Sequence, residues 1–208
     1  MYIISGCNGS GKTTASYTLL PELLECREYV NSDEFAKSLS PFSPSEASVR
    51  ASRYMLMKIN YLMDRDETFS IETTLATRSL MTIIRKARER GYEITILYFW
   101  LSSPQLAIER VRKRVAAGGH HIPDDVVKRR YYMGLNYLFS QYIPACDHWI
   151  LADNSTPPFK VIAQGAREES TIIRDPQRYD IVCTLSQSAV KLSQENNATD
   201  SDNGQYGI

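Results

Sequence analysis

Gly6-Cys7-Asn8-Gly9-Ser10-Gly11-Lys12-Thr13 fits the pattern G-x-x-x-x-G-K-[ST] of a phosphate-binding P-loop. Tyr2-Ile3-Ile4 precede it, a short and partly β-branched run that reads as a buried strand. Thr14 to Leu20 follow and read as a helix that stops near Pro21. The motif therefore stands in the strand–loop–helix setting it requires. Its glycines let the backbone curl so that amide groups converge on a phosphate, and the helix N-terminus adds partial positive charge there. In this reading Gly6, Asn8, Gly9, Ser10, Gly11 and Thr14 build the cradle, Lys12 reaches the β- and γ-phosphates, and the Thr13 hydroxyl meets Mg²⁺. ATP and Mg²⁺ are thus the expected cofactors. The expected fold is α/β, a three-layer P-loop NTPase kinase-like domain whose central, mostly parallel sheet of about five strands is flanked by helices.

Further strands deliver polar residues to the same edge. Arg27 to Val30 read as a second strand ending at Asn31-Ser32-Asp33-Glu34. Residues just past strand ends line the ligand crevice of such sheets. Asp33 is then either a base for an acceptor hydroxyl or the N-cap of a helix starting near Glu34. Thr68 to Ile71 read as a third strand that delivers Glu72-Thr73-Thr74. Glu72 stands where an acid after the strand would serve the metal, or holds acceptor hydroxyls; a solvated Glu beside a capping Thr is the bland alternative. Ile94 to Leu101, almost continuously apolar, read as a central strand covered on both faces. Trp149 to Ala152 read as a fifth strand ending in Asp153-Asn154-Ser155, and Lys160–Ala163 with Thr171–Ile173 as a small hairpin.

The helical segments differ in kind. From Ser45, beyond a Pro-rich turn at 40–44, Ala47, Ala51, Met55, Ile59 and Met63 recur every four residues as a core stripe. Leu80, Ile83, Ile84 and Ala87 give a second amphipathic helix, stopped at Gly91. The helix over Pro104–Ala117 is crowded by Arg110, Arg112, Lys113 and Arg114. Gly118-Gly119-His120-His121-Ile122-Pro123 breaks it before Lys128-Arg129-Arg130. This cluster is either a solvated basic face or a jointed lid over about 104–130 that closes on the phosphates. Residues 1–192 are expected to form one domain, with 193–208 a polar disordered tail.

Composition limits the alternatives. The chain has 208 residues, 43% of them hydrophobic, and 24 Lys+Arg balance 24 Asp+Glu. Without net charge no global field draws it to nucleic acid or to an anionic membrane. No apolar run approaches a membrane span, and with Met1 leading directly into the first strand no signal peptide is expected. Four separated cysteines without a C-x-x-C pair fit reduced thiols in a cytoplasmic protein, although Cys7 sits in the loop where oxidation would obstruct nucleotide.

In order, Gly6 to Thr14, Asn31-Ser32-Asp33-Glu34, Ser40-Pro41-Phe42-Ser43-Pro44, Glu72-Thr73-Thr74-Leu75 and Gly91-Tyr92 occur along the chain. Ala107 to Val111, Arg114-Val115, Gly118-Gly119-His120, Ile122-Pro123, Arg129-Arg130-Tyr131 and Asp153-Asn154-Ser155 complete the set. Over about residues 1–165 this resembles the zeta-toxin-like family of P-loop kinases, in its short single-domain bacterial branch. The resemblance implies ATP-dependent phosphorylation of a hydroxyl on a small substrate, which in the better-understood zeta toxins is a UDP-N-acetyl amino sugar. It implies that Asp33 is the catalytic base and that Glu72, with Thr73, meets the acceptor. Of the family's two lid arginines, Arg110 matches the first; His120 stands at the second, with Arg114 nearby as a substitute. An antitoxin protein is the partner such a resemblance brings into view. Two other readings share the loop: a polynucleotide 5′-hydroxyl kinase, disfavoured by the neutral charge, and a nucleotide-binding regulator that has no acceptor.

Overall fold

The computed structural model describes residues 1–22, 24–40, 48–119 and 121–187. His120, most of the Pro-rich turn, the start of the Met-bearing helix and the expected tail lie outside the described residues. One sheet of seven strands organises the rest, in the order β2-β3-β1-β4-β5-β6-β7. The strands are β1 (Tyr2–Ser5), β2 (Glu28–Val30), β3 (Phe69–Thr73), β4 (Thr95–Trp100), β5 (His148–Asp153), β6 (Lys160–Ala166) and β7 (Ile172–Ile173). β1 to β5 run parallel, as expected. The two further strands are the anticipated hairpin: β6 adds antiparallel to β5, and β7 to β6, so the hairpin extends the sheet rather than standing apart.

β1 is central, pairing β3 on one side and β4 on the other, with Ser5 opposite both Thr73 and Tyr98. The chain leaves β1 for the β2–β3 side and returns to β4, so the end of β1 is the point where strand order reverses. Ligand crevices in open parallel sheets form at that point. Ile3, Ile4, Ile71, Ile96 and Leu101 are fully buried, as strands covered on both faces require.

The helices are α1 (Lys12–Glu22), α2 (Ser32–Leu39), α3 (Ser48–Asp64), α4 (Leu80–Glu89), α5 (Pro104–Ala116) and α6 (Asp124–Tyr137). A π-turn, Leu138–Tyr142, and the short α7, Ile143–Ala145, continue from α6, and 176–187 are helical. α1 runs past Pro21 instead of stopping before it. Proline in a last turn forfeits only a bond at the fraying end, so the helix absorbs it. The α3 stripe packs inward at Ala51, Ile59 and Met63, consistent with core packing. Ser103 caps α5, its side chain accepting from the Leu106 amide at 3.1 Å, and Pro104 opens the helix. Gly118 and Gly119 close it: their amides donate to Val115 and Arg114 carbonyls at 2.9 Å each. The glycine joint is therefore a helix stop with its own hydrogen bonds.

α6 is locked against the sheet. Trp100 Nε1 donates to the Tyr131 hydroxyl at 2.9 Å, and that hydroxyl donates to the Leu101 carbonyl at 2.7 Å. With Val127 and Leu135 fully buried, these contacts fix which face of α6 looks toward the end of β1. Among the described residues no helix is long and apolar enough to cross a membrane.

Candidate nucleotide and acceptor site

A cavity of about 970 Å³ opens at the carboxyl edge of the sheet. Its wall brings together the P-loop residues Asn8, Gly9, Gly11, Lys12, Thr13 and Thr14. Asp33, Glu72, Arg110 and Arg114 line the same cavity, from other elements of the chain. Most of the expected residues thus meet at one site; Gly6 and Ser10 belong to the loop without lining the cavity, and two others stand apart. Thr73 does not line it: Glu72 and Thr73 lie within β3, not beyond it, and the Thr73 hydroxyl accepts from the Leu75 amide at 3.1 Å. His120 lies outside the described residues.

The loop's geometry fits a phosphate. Gly6 has φ +137°, and a Cβ there would come within 2.3 Å of the Phe99 carbonyl oxygen on β4. Gly9 has φ +80°, and a Cβ would meet the Ala107 carbonyl at 2.6 Å and the Arg110 Cβ at 3.3 Å. Only glycine lets the loop lie this close to β4 and α5 while turning its amides outward. Gly6 and Ser10 form the underside; the Ser10 hydroxyl is buried without a protein partner. Asn154 clamps the loop from the end of β5, donating to the Ser10 carbonyl at 2.7 Å.

Lys12 is 6% exposed, and its ammonium donates to the Cys7 carbonyl at 2.9 Å. Burial lowers its pKa; Glu72, Cys7 and Asp33 act in the opposite direction. A desolvated ammonium held at a loop of amide donors is arranged to receive a polyanion. Cys7 is not the exposed thiolate that oxidation needs. It is 2% exposed, and burial pushes its thiol up to about 11, against the pull of Lys12.

The acids occupy distinct settings. Asn31, not Asp33, caps α2: its side chain accepts from the Asp33 amide at 2.9 Å. This leaves the Asp33 carboxylate exposed at the cavity and relieved of capping. Glu72 accepts from the Thr13 hydroxyl at 2.9 and 3.1 Å and from the Tyr29 hydroxyl. Asn31 donates to the same Tyr29 oxygen at 3.0 Å. Burial and the neighbouring Glu72 raise the Tyr29 pKa, so this phenol stays a proton donor. Sequence reasoning passed over Tyr29, although its place two residues before Asn31 on β2 aims it at the same edge.

The cations come from α5 and α6. Arg110 Nη2 donates to the Ser155 carbonyl at 2.7 Å, tying α5 to the loop after β5. Arg130, placed within the basic run but not singled out by it, also lines the cavity and donates through Nη1 to the Asn8 side-chain oxygen at 3.1 Å. The far end of the cavity is apolar, with Pro157, Pro158 and Phe159, whose ring packs edge-on against Phe99. Asp153 braces that loop. It accepts from the Ser155 amide at 2.8 Å and pairs with Arg178 of the 176–187 helix at 2.9 Å.

By sequence, the family described as AAA domain matches residues 1–131, the stretch that carries the P-loop, Asp33, Glu72 and the arginines of α5 and α6. The chain belongs to that family of P-loop domains. An uncharacterised protein of Haemophilus influenzae is 29% identical over 126 residues, 61% of this chain and 88% of that protein. Among solved structures, the AvrRxo1-ORF1:-ORF2 assembly with ATP superposes with a TM-score of 0.71 at 17% identity. The match covers 87% of this chain but only 62% of that one, so this chain spans under two thirds of its length. The PezAT chromosomal toxin–antitoxin system of Streptococcus pneumoniae superposes with a TM-score of 0.61 at 14% identity, covering 92% of this chain and 86% of that one. The fold is thus a P-loop fold shared with the AvrRxo1-ORF1 and PezAT structures, in keeping with the order of the motifs.

Proposed function

We propose that the protein is an ATP-dependent kinase that transfers the γ-phosphoryl group to a hydroxyl of a small acceptor. The observation that carries this is the single cavity in which a P-loop, its buried Lys12 and the exposed Asp33 carboxylate face one another. A nucleotide-binding regulator would need the loop but not the acid. The apolar end at Pro157–Phe159 suits a nucleotide base, and the Asp33 end suits the acceptor.

Mg²⁺ fits the residues present. It needs only one or two protein oxygens beside those of the phosphates, and Thr13 and Glu72 offer adjacent oxygens. Bound there, it would neutralise phosphate charge. The chain's own groups perform the rest. Asp33 takes the proton of the acceptor hydroxyl while that oxygen bonds to the γ-phosphorus and the bond to the β-phosphate oxygen breaks, leaving ADP. Lys12, Arg110 and Arg114 stabilise the charge on the phosphoryl oxygens. A UDP-N-acetyl amino sugar is the first acceptor to try, on the family resemblance alone.

The direct test is incubation of the full chain with γ-labelled ATP and fractionated metabolites. Label is expected in one small hydroxyl compound; hydrolysis alone, unstimulated by every fraction, would leave the regulator reading. The Thr13 contact further supports a role for Glu72 on the metal side rather than at the acceptor. Glu72→Gln is then expected to raise the Mg²⁺ needed for half-maximal turnover about tenfold. A raised acceptor KM with unchanged Mg²⁺ demand would return Glu72 to the acceptor.

A further inference from the structure

We infer that Arg130 is a further terminal-phosphate cation of this site, beside Lys12, Arg110 and Arg114, reaching from α6 over the P-loop to distinguish ATP from ADP; this rests on the kinase reading above. Three observations converge on it. Arg130 lines the cavity that holds Lys12 and Asp33. Its Nη1 donates at 3.1 Å to the side chain of Asn8, itself 6% exposed and part of the loop that would cradle phosphate. The adjacent Tyr131 is pinned by Trp100 and Leu101, so the backbone of Arg130 is held at the cavity by a fixed helix, and the Asn8 bond directs its side chain.

Charge separates binding from bracing. Asn8 is a neutral acceptor, so its hydrogen bond does not neutralise the guanidinium. Burial disfavours that charge and Arg129 repels it, whereas Asp33 attracts it. A half-buried guanidinium that donates to an amide oxygen can turn its remaining N–H groups to a phosphate in fork geometry. The other arginines of the region are arranged differently. Arg110 reaches the Ser155 carbonyl, Arg114 is exposed where it lines the cavity, and Arg129 is exposed on another side of α6. Arg130 alone of these four combines partial burial with a contact to a P-loop side chain.

The test compares fluorescently labelled ATP and ADP binding to the full chain in Mg²⁺, for the wild type, Arg130→Ala, Arg130→Lys and, as a control, Arg129→Ala. Arg130→Ala is expected to weaken ATP about 10- to 100-fold, the range of a lost charge-assisted hydrogen bond, and ADP less than about threefold. Arg130→Lys should recover part of the loss, a point charge replacing a fork. Arg129→Ala should bind both as the wild type does, and nucleotide-free melting temperatures should agree across the set. Equal losses for ATP and ADP would make Arg130 a brace of the loop and overturn the inference, as would an unchanged ATP affinity. A wild type that binds neither nucleotide would remove the kinase reading itself, which is a distinguishable result.

Discussion

Asp33→Asn is expected to bind ATP within about threefold of the wild type and to transfer phosphate about 10²- to 10⁴-fold more slowly, the usual worth of a positioned base. The substitution isolates chemistry from folding because α2 does not depend on the Asp33 carboxylate for its cap. Asn31 supplies that, accepting from the Asp33 amide at 2.9 Å. What the fold loses is one negative charge in the first turn, about 0.3–1 kcal/mol at most for an exposed site. The lost rate corresponds to about 3–5 kcal/mol of barrier. The kinetic effect therefore outweighs the structural one several-fold. Single-turnover transfer, ATP affinity and melting temperature, measured on one preparation, separate them. Transfer at near wild-type rate would dismiss Asp33 as the base. Loss of ATP binding together with transfer would place it on the nucleotide instead.

That Asp33 reached the site was legible in the sequence; why it is free to act was not. Asn31 and Asp33 are both favoured caps two residues apart, and only the observed start of α2 at Ser32 decides between them. The P-loop and the five parallel strands were readable because their signals are local: a fixed glycine spacing and short apolar runs. The hairpin was readable too, but its addition to the edge of β5 depends on pairing between distant segments, which periodicity does not encode. Thr73 was read together with Glu72, but β3 runs through both, and side chains alternate along a strand, so only Glu72 lines the cavity. Arg130 hid in a run of three like charges. Helix phase would have separated it: Arg130 lies three residues after the fully buried Val127, on a neighbouring face, whereas Arg129 points away. Tyr29 carried no motif at all. Its value comes from Glu72, 43 positions further along the chain.

Lys12→Met is expected to abolish nucleotide-induced stabilisation and to slow transfer by about 10²- to 10³-fold, while melting no lower than the wild type without nucleotide. The signs follow from the burial of the ammonium. At 6% exposure Lys12 has lost most of its water, and its hydrogen bond is to the Cys7 carbonyl at 2.9 Å. Desolvation is the largest influence on its ionisation, greater than the opposing pull of Glu72 and Asp33, and Arg114 adds to it. Removing a buried charge recovers an effective penalty of several kcal/mol, less whatever those acids were returning. Methionine has similar length and flexibility and fills the same space with apolar atoms. Against this stands the Cys7 carbonyl, left unpaired at a cost of about 1–3 kcal/mol. The balance favours an equal or more stable nucleotide-free fold. Binding then works through mass action: ATP should raise the wild-type melting temperature with concentration and leave that of the variant unmoved. A variant that melts several degrees lower would show that Glu72 and Asp33 hold the ammonium better than its burial suggests. One that still responds to ATP like the wild type would mean that the loop amides bind phosphate without Lys12. The predicted pair of outcomes, function lost and stability kept, is the mark of a residue strained into place for a ligand rather than for the fold.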